Sequence, residues 1–198
     1  LEEGIVTREF LEKMKAAGNV CEHFHLSAQS GSDSVLAAMN RRYTRAQYLE
    51  ACALIRSYFP DAAITTDIIV GFPTEREEDF LRSLSLVEEA GFARVHAFPY
   101  SRRTGTNAAK LADLPASLKK ERMGRMLTAA AAAQERWLAR FEKRTFTALF
   151  EEDGGYTSNY IRVYAPEAKE GGMYEVRLEK REKDGYRVAL LRPVPGDM

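Results

Sequence analysis

The chain has 198 residues, 45% hydrophobic and 29% charged, which is the balance of an ordinary globular protein rather than a disordered or fibrous one. No apolar run approaches the roughly 20 residues needed to cross a bilayer, and no secretory signal stands at the start, so a cytoplasmic protein without a membrane partner is expected. Lysine plus arginine equals aspartate plus glutamate at 29 each, which excludes bulk charge as a means of gripping nucleic acid.

The opening "LEEGIVTREFLEKMKAAG" reads as a charged amphipathic helix over Thr7 to Ala17. It begins with leucine rather than methionine, which suggests a piece of a longer polypeptide. A short apolar strand, "NVCEHFHL", follows, then helices near Asp33 to Arg41 and Thr44 to Tyr58, the second with Thr44 as N-cap. "AAITTDIIVGF" is a β-branched run between Pro60 and Pro73 and therefore a strand. "TEREEDFLRSLSLVEEAG" has helical periodicity, acids in its first turns and Gly91 beyond its end. "FARVHAFPY" is another strand. Strands alternating with helices predict parallel βαβ units. A polar loop then leads into one long helix over roughly Ser117 to Lys143. From Lys119 to Arg144 it holds eight basic residues against three acidic ones.

The last fifty residues change character. "RTFTALFEED", "YTSNYIRVYAP", "GMYEVRLEKREK" and "YRVALLRP" are four alternating strand candidates separated by Gly and Pro turns, which predict a small antiparallel barrel or sandwich. The boundary is placed at residues 143 and 144, with one unit over 1–143 and another over 144–198. Acids and bases nearly balance from Glu151 onward, so bulk charge cannot drive nucleic-acid binding there.

Two cysteines, Cys21 and Cys52, lie far apart in apolar surroundings and are expected to be buried, reduced thiols. No Cys-x-x-Cys spacing exists, so no cysteine metal site is expected on this chain. His23, His25 and His96 on strand candidates read as packed, hydrogen-bonded residues. Glu75, Glu77, Glu78 and Asp79 read as a helix start favoured by its dipole. The arginine pairs 41–42 and 102–103 suit either an anionic ligand or a solvated surface.

In parallel α/β sheets ligands bind at the carboxyl ends of the strands. "HLSAQSGSDS", "DIIVGFPTE" and "AFPYSRRTGT" fall there, each with glycine or proline among small polar groups. A ligand across these ends would meet backbone, aromatic rings and a few polar side chains; tight βα turns explain the same residues without a ligand.

"HLSAQSGSDSVLAAMNRRYT", "TTDIIVGFPTEREEDF" and "VHAFPYSRRTGTNAA" together resemble the radical SAM methylthiotransferases, and "GYTSNYIRV" resembles the TRAM domain, a small RNA-binding β-barrel. The resemblance covers nearly the whole chain. It implies the C-terminal half of a partial TIM-like radical SAM α/β barrel followed by a TRAM barrel. It further implies an enzyme that puts a methylthio group on carbon 2 of a modified adenosine beside the tRNA anticodon. The third stretch is most similar to the branch acting on N6-threonylcarbamoyladenosine. The isopentenyladenosine branch more often reads Tyr-Ser-Pro-Arg, and the ribosomal-protein branch has Gln-His in place of Gln29 and Ser30. Ser27 stands where the family usually has proline, and Thr74 where it has glycine.

The resemblance implies S-adenosylmethionine as cofactor. Gln29 and Ser30 would contact its ribose or amino-acid end and Arg41 its carboxylate. Ile69, Val70, Gly71 and Phe72 would lie beside the adenine, with Phe98 and Tyr100 completing that wall. Tyr156, Asn159, Tyr160 and Arg162 would meet tRNA at its anticodon stem-loop by stacking and phosphate contacts. The 4Fe-4S clusters of such enzymes have cysteine ligands that this chain lacks, so the other half of the same polypeptide is an implied partner. Alone, the chain is expected not to cleave S-adenosylmethionine and to bear no catalytic residue. Two readings stay open beside this one: a plain RNA-binding module, and another radical SAM type such as a porphyrinogen oxidase, which shares the Gln-to-Arg spacing.

Overall fold

The computed structural model describes residues 3–195. Its first part is a parallel sheet of β1 (His23–His25), β2 (Ala63–Val70) and β3 (Arg94–Pro99), in that order. The connections carry α1 (Arg8–Ala17) ahead of β1, α2 (Asp33–Ala38) and α3 (Arg45–Tyr58) between β1 and β2, and α4 (Glu77–Ala90) between β2 and β3. The local signals act as expected. Thr7 and Thr44 accept the first free amides of α1 and α3, Gln47 closes a capping box, and Gly91 ends α4 in the left-handed region.

One face of the sheet packs against helices; the other is closed near the start of β2, where Ala63 and Thr65 are buried and Ala63 joins the barrel's core, and opens toward Phe98. Phe24, Leu26, Ile64, Ile68, Val70 and Val95 point into a core completed by α3, α4 and α5 (Ala116–Ala139). Alternation sends His23, His25, Thr65, Asp67, Ile69, His96 and Phe98 to the other face, where Phe98 is 52% exposed. β1 is shorter than "NVCEHFHL" predicts, because pairing lapses after His25 and resumes only as a single bridge between Gln29 and Ile68.

The change to an all-β unit falls between Ala139 and Thr145. Strands β4 (Thr145–Glu151), β5 (Gly154–Thr157), β6 (Arg162–Tyr164), β7 (Met173–Glu182) and β8 (Gly185–Pro193) close in the order β4-β5-β6-β8-β7. The four expected strands are thus five, and the barrel is not wholly antiparallel, since β6 pairs parallel with β8. The break within "YTSNYIRV" has a local cause. Thr157 Oγ1 accepts the Ile161 amide at 2.9 Å, and Tyr160 takes a left-handed φ of 64°.

Helix α5, 24 residues and about 36 Å long, belongs to both parts. Its middle (Met126, Ala130, Ala133) packs under the sheet, and its end (Trp137, Leu138), with Phe141 beyond it, packs into the barrel's core beside Ile161, Val176, Tyr186 and Val188. Further ties cross the junction. Asn159 Nδ2 donates to the Asp61 carbonyl at 3.2 Å, the Glu22 amide donates to the Ser158 carbonyl at 2.8 Å, and Arg144 forks onto the Asp61 carboxylate.

One cysteine expectation is corrected. Cys52 is buried, and burial pushes its thiol up to about 11, but Cys21 is exposed because the residues before β1 run along the surface. Under native conditions at pH 8, iodoacetamide is expected to label Cys21 alone, and both thiols in denaturant, as read by intact mass. Rapid native labelling of Cys52 would contradict its burial.

Candidate functional site

At the end of β1, Gln29 holds an uncommon left-handed φ of 61°. Its amide donates to the Asp67 carbonyl at 2.8 Å, and its carbonyl accepts the Ile69 amide at 2.9 Å. The following turn packs directly on α4. Gly31 donates its amide to Ser83 Oγ at 2.9 Å, and a Cβ there would stand 2.5 Å from the Arg82 carbonyl, so only glycine fits. Ser30, expected to face a ligand, is 2% exposed. Its hydroxyl instead lies 3.3 Å from Ser83 Oγ and accepts the Ser32 amide at 3.2 Å. That hydroxyl fastens strand to helix. Arg41 is exposed on the α2–α3 loop. Tyr43 holds this loop beside the strand end by donating to the Ser27 and Ala28 carbonyls at 3.1 and 3.0 Å.

The ends of β2 and β3 are paired in register, Ile69 with Phe98 and Val70 with Pro99. Ile69 and Phe98 lie on the open face. Val70, expected beside an adenine, is fully buried on the opposite, helix-covered face, because successive strand residues alternate. Gly71, at φ 78°, abuts the Lys119 side chain, and its amide is already donated to Glu75 Oε1 at 3.0 Å. Phe72 is 4% exposed and packs edge-on against Tyr100, ring centroids 5.3 Å apart. The Tyr100 amide bonds the Val70 carbonyl at 2.8 Å, while its buried hydroxyl has no hydrogen-bond partner among the described residues.

Two features were missed from sequence. Glu75 is not part of the helix start. It is 4% exposed, ahead of α4, and receives Arg122 Nη1 at 2.8 Å, with Arg122 itself 3% exposed. Burial raises its pKa, against the Gly71 amide and the Arg122 guanidinium, which lower it. No local pattern announces a partner 47 residues away. The second is a network on the open face. His25 Nε2 lies 3.2 Å from Asp67 Oδ2 and 3.0 Å from Ser27 Oγ. Its Nδ1 and the Nε2 of His23 both lie 3.0 Å from Thr65 Oγ1. The alternation His-x-His opposite Thr-x-Asp is the signal that could have revealed it. Burial lowers the pKa of His23 and of His96.

The network continues into the barrel through stacked rings. His23 stacks on Tyr160 at 3.8 Å, Tyr160 stacks on Tyr156 at 4.9 Å, and the Arg162 guanidinium lies 4.9 Å from the Tyr156 ring centre. Rings therefore lie against both faces of Tyr160. Asn159 is also engaged within the protein. It is 1% exposed and bonded to Thr157 and to Asp61 across the junction, so it builds the turn rather than the surface. Tyr156 and Arg162 remain at the surface. Much of the basic helix is consumed internally: Lys119 pairs with Asp113, Arg122 with Glu75, and Arg125 with Glu77 and Glu121.

Among the described residues no group of three or more His, Cys, Asp or Glu is arranged to hold a metal ion. A 4Fe-4S cluster therefore does not fit on these residues. The strand ends fit S-adenosylmethionine in part: Ile69 and Phe98 offer apolar surface, and Gln29 and Arg41 offer polar groups at the same end of the sheet. Ser30, Val70 and the Gly71 amide are committed elsewhere.

Residues 3–87 match the Radical SAM superfamily. Over 203 aligned residues, 97% of this chain, it is 34% identical to the tRNA-2-methylthio-N(6)-dimethylallyladenosine synthases of Staphylococcus aureus strains Newman and JH9. The likeness to these synthases runs over nearly the whole of this chain. The chain spans 40% of the length of those relatives. Among solved structures, Escherichia coli coproporphyrinogen III oxidase, described as a radical SAM enzyme, superimposes with a TM-score of 0.56 at 18% identity. That match covers 67% of this chain and 31% of the other, and the likeness is one of fold. No helix among the described residues is long and apolar enough to cross a membrane.

Proposed function

We propose that this chain is part of a radical SAM enzyme that places a methylthio group on carbon 2 of an N6-substituted adenosine in tRNA. The observation that carries this reading is the homology over nearly the whole chain, joined to three strand ends gathered at one edge of the sheet, where Phe98 is exposed. S-adenosylmethionine, when bound with a reduced cluster, supplies radical chemistry and a methyl group. This chain's share is to bind and orient. Arg41 offers a guanidinium fork to a carboxylate, and Gln29 offers an amide near the strand end. Ile69 and Phe98 offer an apolar edge to an adenine, and the barrel offers a surface to RNA. The cluster is assigned to residues outside this chain, and the chain by itself is expected to be inactive.

The substrate is proposed to be N6-threonylcarbamoyladenosine. The "AFPYSRRTGTNAA" stretch supports it, as does the part-exposed cluster of His25, Ser27 and Asp67 on the sheet, which suits a polar N6 substituent better than an isoprenoid one. The S. aureus relatives favour a second reading, the dimethylallyl nucleoside. Mass spectrometry of tRNA nucleosides from cells with and without the full-length gene separates them. Loss of the methylthio form of threonylcarbamoyladenosine alone is the expected result. Loss of the dimethylallyl form instead would move the substrate, and no change in either would remove the methylthiotransferase reading.

A further inference from the structure

The polar cluster on the part-open face of the sheet has a direction. Asp67 Oδ2 can only accept; it takes the Ser27 hydroxyl at 2.9 Å and lies 3.2 Å from His25 Nε2. The His25 proton therefore sits on Nε2, shared between Asp67 and Ser27 Oγ at 3.0 Å. That leaves Nδ1 to accept the Thr65 hydroxyl at 3.0 Å, and Thr65 Oγ1 in turn accepts from His23 Nε2 at 3.0 Å. Every donor in this chain points toward Asp67, so its carboxylate is fixed by two donors on one oxygen. The other oxygen, Oδ1, takes no hydrogen bond among the described residues, and the side chain is 30% exposed. His96 stands opposite Asp67 in the β2–β3 register, on the same face, its backbone about 4.8 Å away. The His96 ring lies 6.2 Å from that of His25, and neither of its nitrogens is hydrogen-bonded among the described residues. A fixed acceptor and an unspent imidazole N–H thus lie side by side.

We propose that Asp67 and His96 read the N6 substituent of the substrate adenosine through its carbamoyl group, an N–H donating to Asp67 Oδ1 and the C=O accepting the His96 ring N–H. The inference rests on the threonylcarbamoyl reading of the substrate and names the atoms that recognise it. A carbamoyl linkage carries a donor and an acceptor side by side, the complement of this pair. A dimethylallyl substituent is hydrocarbon beyond N6 and leaves the imidazole and the carboxylate without partners, which is how a hydrogen-bonding site rejects an apolar analogue. Ser27 and His25 are positioning residues: they hold the carboxylate, so little side-chain freedom is lost when Oδ1 engages. Asp67 and His96 each lie two residues before Ile69 and Phe98 on their strands, which puts the pair on the same face, about 6.6 Å from the apolar edge offered to an adenine.

The test uses the reconstituted full-length enzyme and fluorescein-labelled anticodon stem-loop RNAs that carry adenosine, N6-threonylcarbamoyladenosine or N6-dimethylallyladenosine at the substrate position. Anisotropy gives a Kd for each, and the ratio of the plain to the threonylcarbamoyl Kd is the readout. The wild type is expected to bind the threonylcarbamoyl RNA most tightly. Asp67→Asn and His96→Phe are each expected to cut that preference roughly tenfold, with the plain RNA at its wild-type Kd. In the first variant Ser27 and His25 draw the amide oxygen, which turns the NH2 group toward the substrate N–H. Ser27→Ala is expected to cut the preference roughly threefold, because it loosens the carboxylate without removing it. Wild-type preference in both Asp67→Asn and His96→Phe would overturn this assignment and leave the substrate reading standing. An equal loss of affinity for the plain RNA would make these side chains supports of the fold and overturn it too. A wild type that prefers the dimethylallyl RNA, or neither, would overturn the substrate reading and this inference with it.

Discussion

Replacing Arg122 by methionine is expected to cost about 3–5 kcal/mol of stability at pH 8, measured by urea denaturation. Arg122 Nη1 bonds both the Glu75 carboxylate and the Glu75 carbonyl, at 2.8 and 3.1 Å, and the two side chains are 4% and 1% exposed. Without the guanidinium, a carboxylate is left in the interior with only the Gly71 amide as donor. The sign of the pH dependence follows. Burial already holds the Glu75 pKa above its ordinary value, and removing the opposing cation raises it further. A carboxyl group with a raised folded pKa stabilises the fold below its unfolded pKa and loses that contribution as pH rises through the folded value. The Arg122→Met penalty is therefore expected to shrink between pH 8 and pH 5. The double variant Glu75→Gln, Arg122→Met removes the charge altogether and is expected to recover most of the loss. A penalty below about 1 kcal/mol, or one that grows at pH 5, would show that the pair is not the buried tie described. The tie has a functional position: it joins the Gly71–Phe72 strand end to α5, whose other end enters the barrel.

Phe141→Ala is expected to have a comparable effect, about 3–5 kcal/mol. Phe141 is fully buried and edge-on to both Trp137 at 4.9 Å and Phe146 at 5.7 Å, with the Arg140 and Arg144 guanidiniums over its ring. It is the residue through which the end of α5 packs on the first barrel strand. Truncation leaves a cavity at the junction between the two parts. The check is urea denaturation with the Trp137 fluorescence as probe. A fully stable variant would mean that the barrel is anchored by the Asp61 contacts rather than by this aromatic cluster.

The sequence by itself determined the element types and their order. Helical periodicity marked α3 and α4, Thr44 and Gly91 bounded them, and β-branched residues between prolines marked β2. These signals are local, carried by side chains within one turn or one strand of each other, so they can be read without knowing the fold. The family resemblance was legible for the same reason, since its motifs are contiguous stretches at strand ends.

Only the tertiary structure decided which groups at those ends are free. Ser30, Val70 and the Gly71 amide stand in the right stretches, yet Ser83 takes the first, the helix-covered face the second and Glu75 the third. Asn159 and Tyr160 read as surface groups for RNA, yet they are spent on Asp61 and on the rings of His23 and Tyr156. In each case the competing partner is distant in the chain, and a polar or aromatic group buried on folding must find whatever partner the packing brings. Glu75 with Arg122 is the same lesson from the other side: the sequence holds the charges, but only the packing of α5 between sheet and barrel determines which are neutralised.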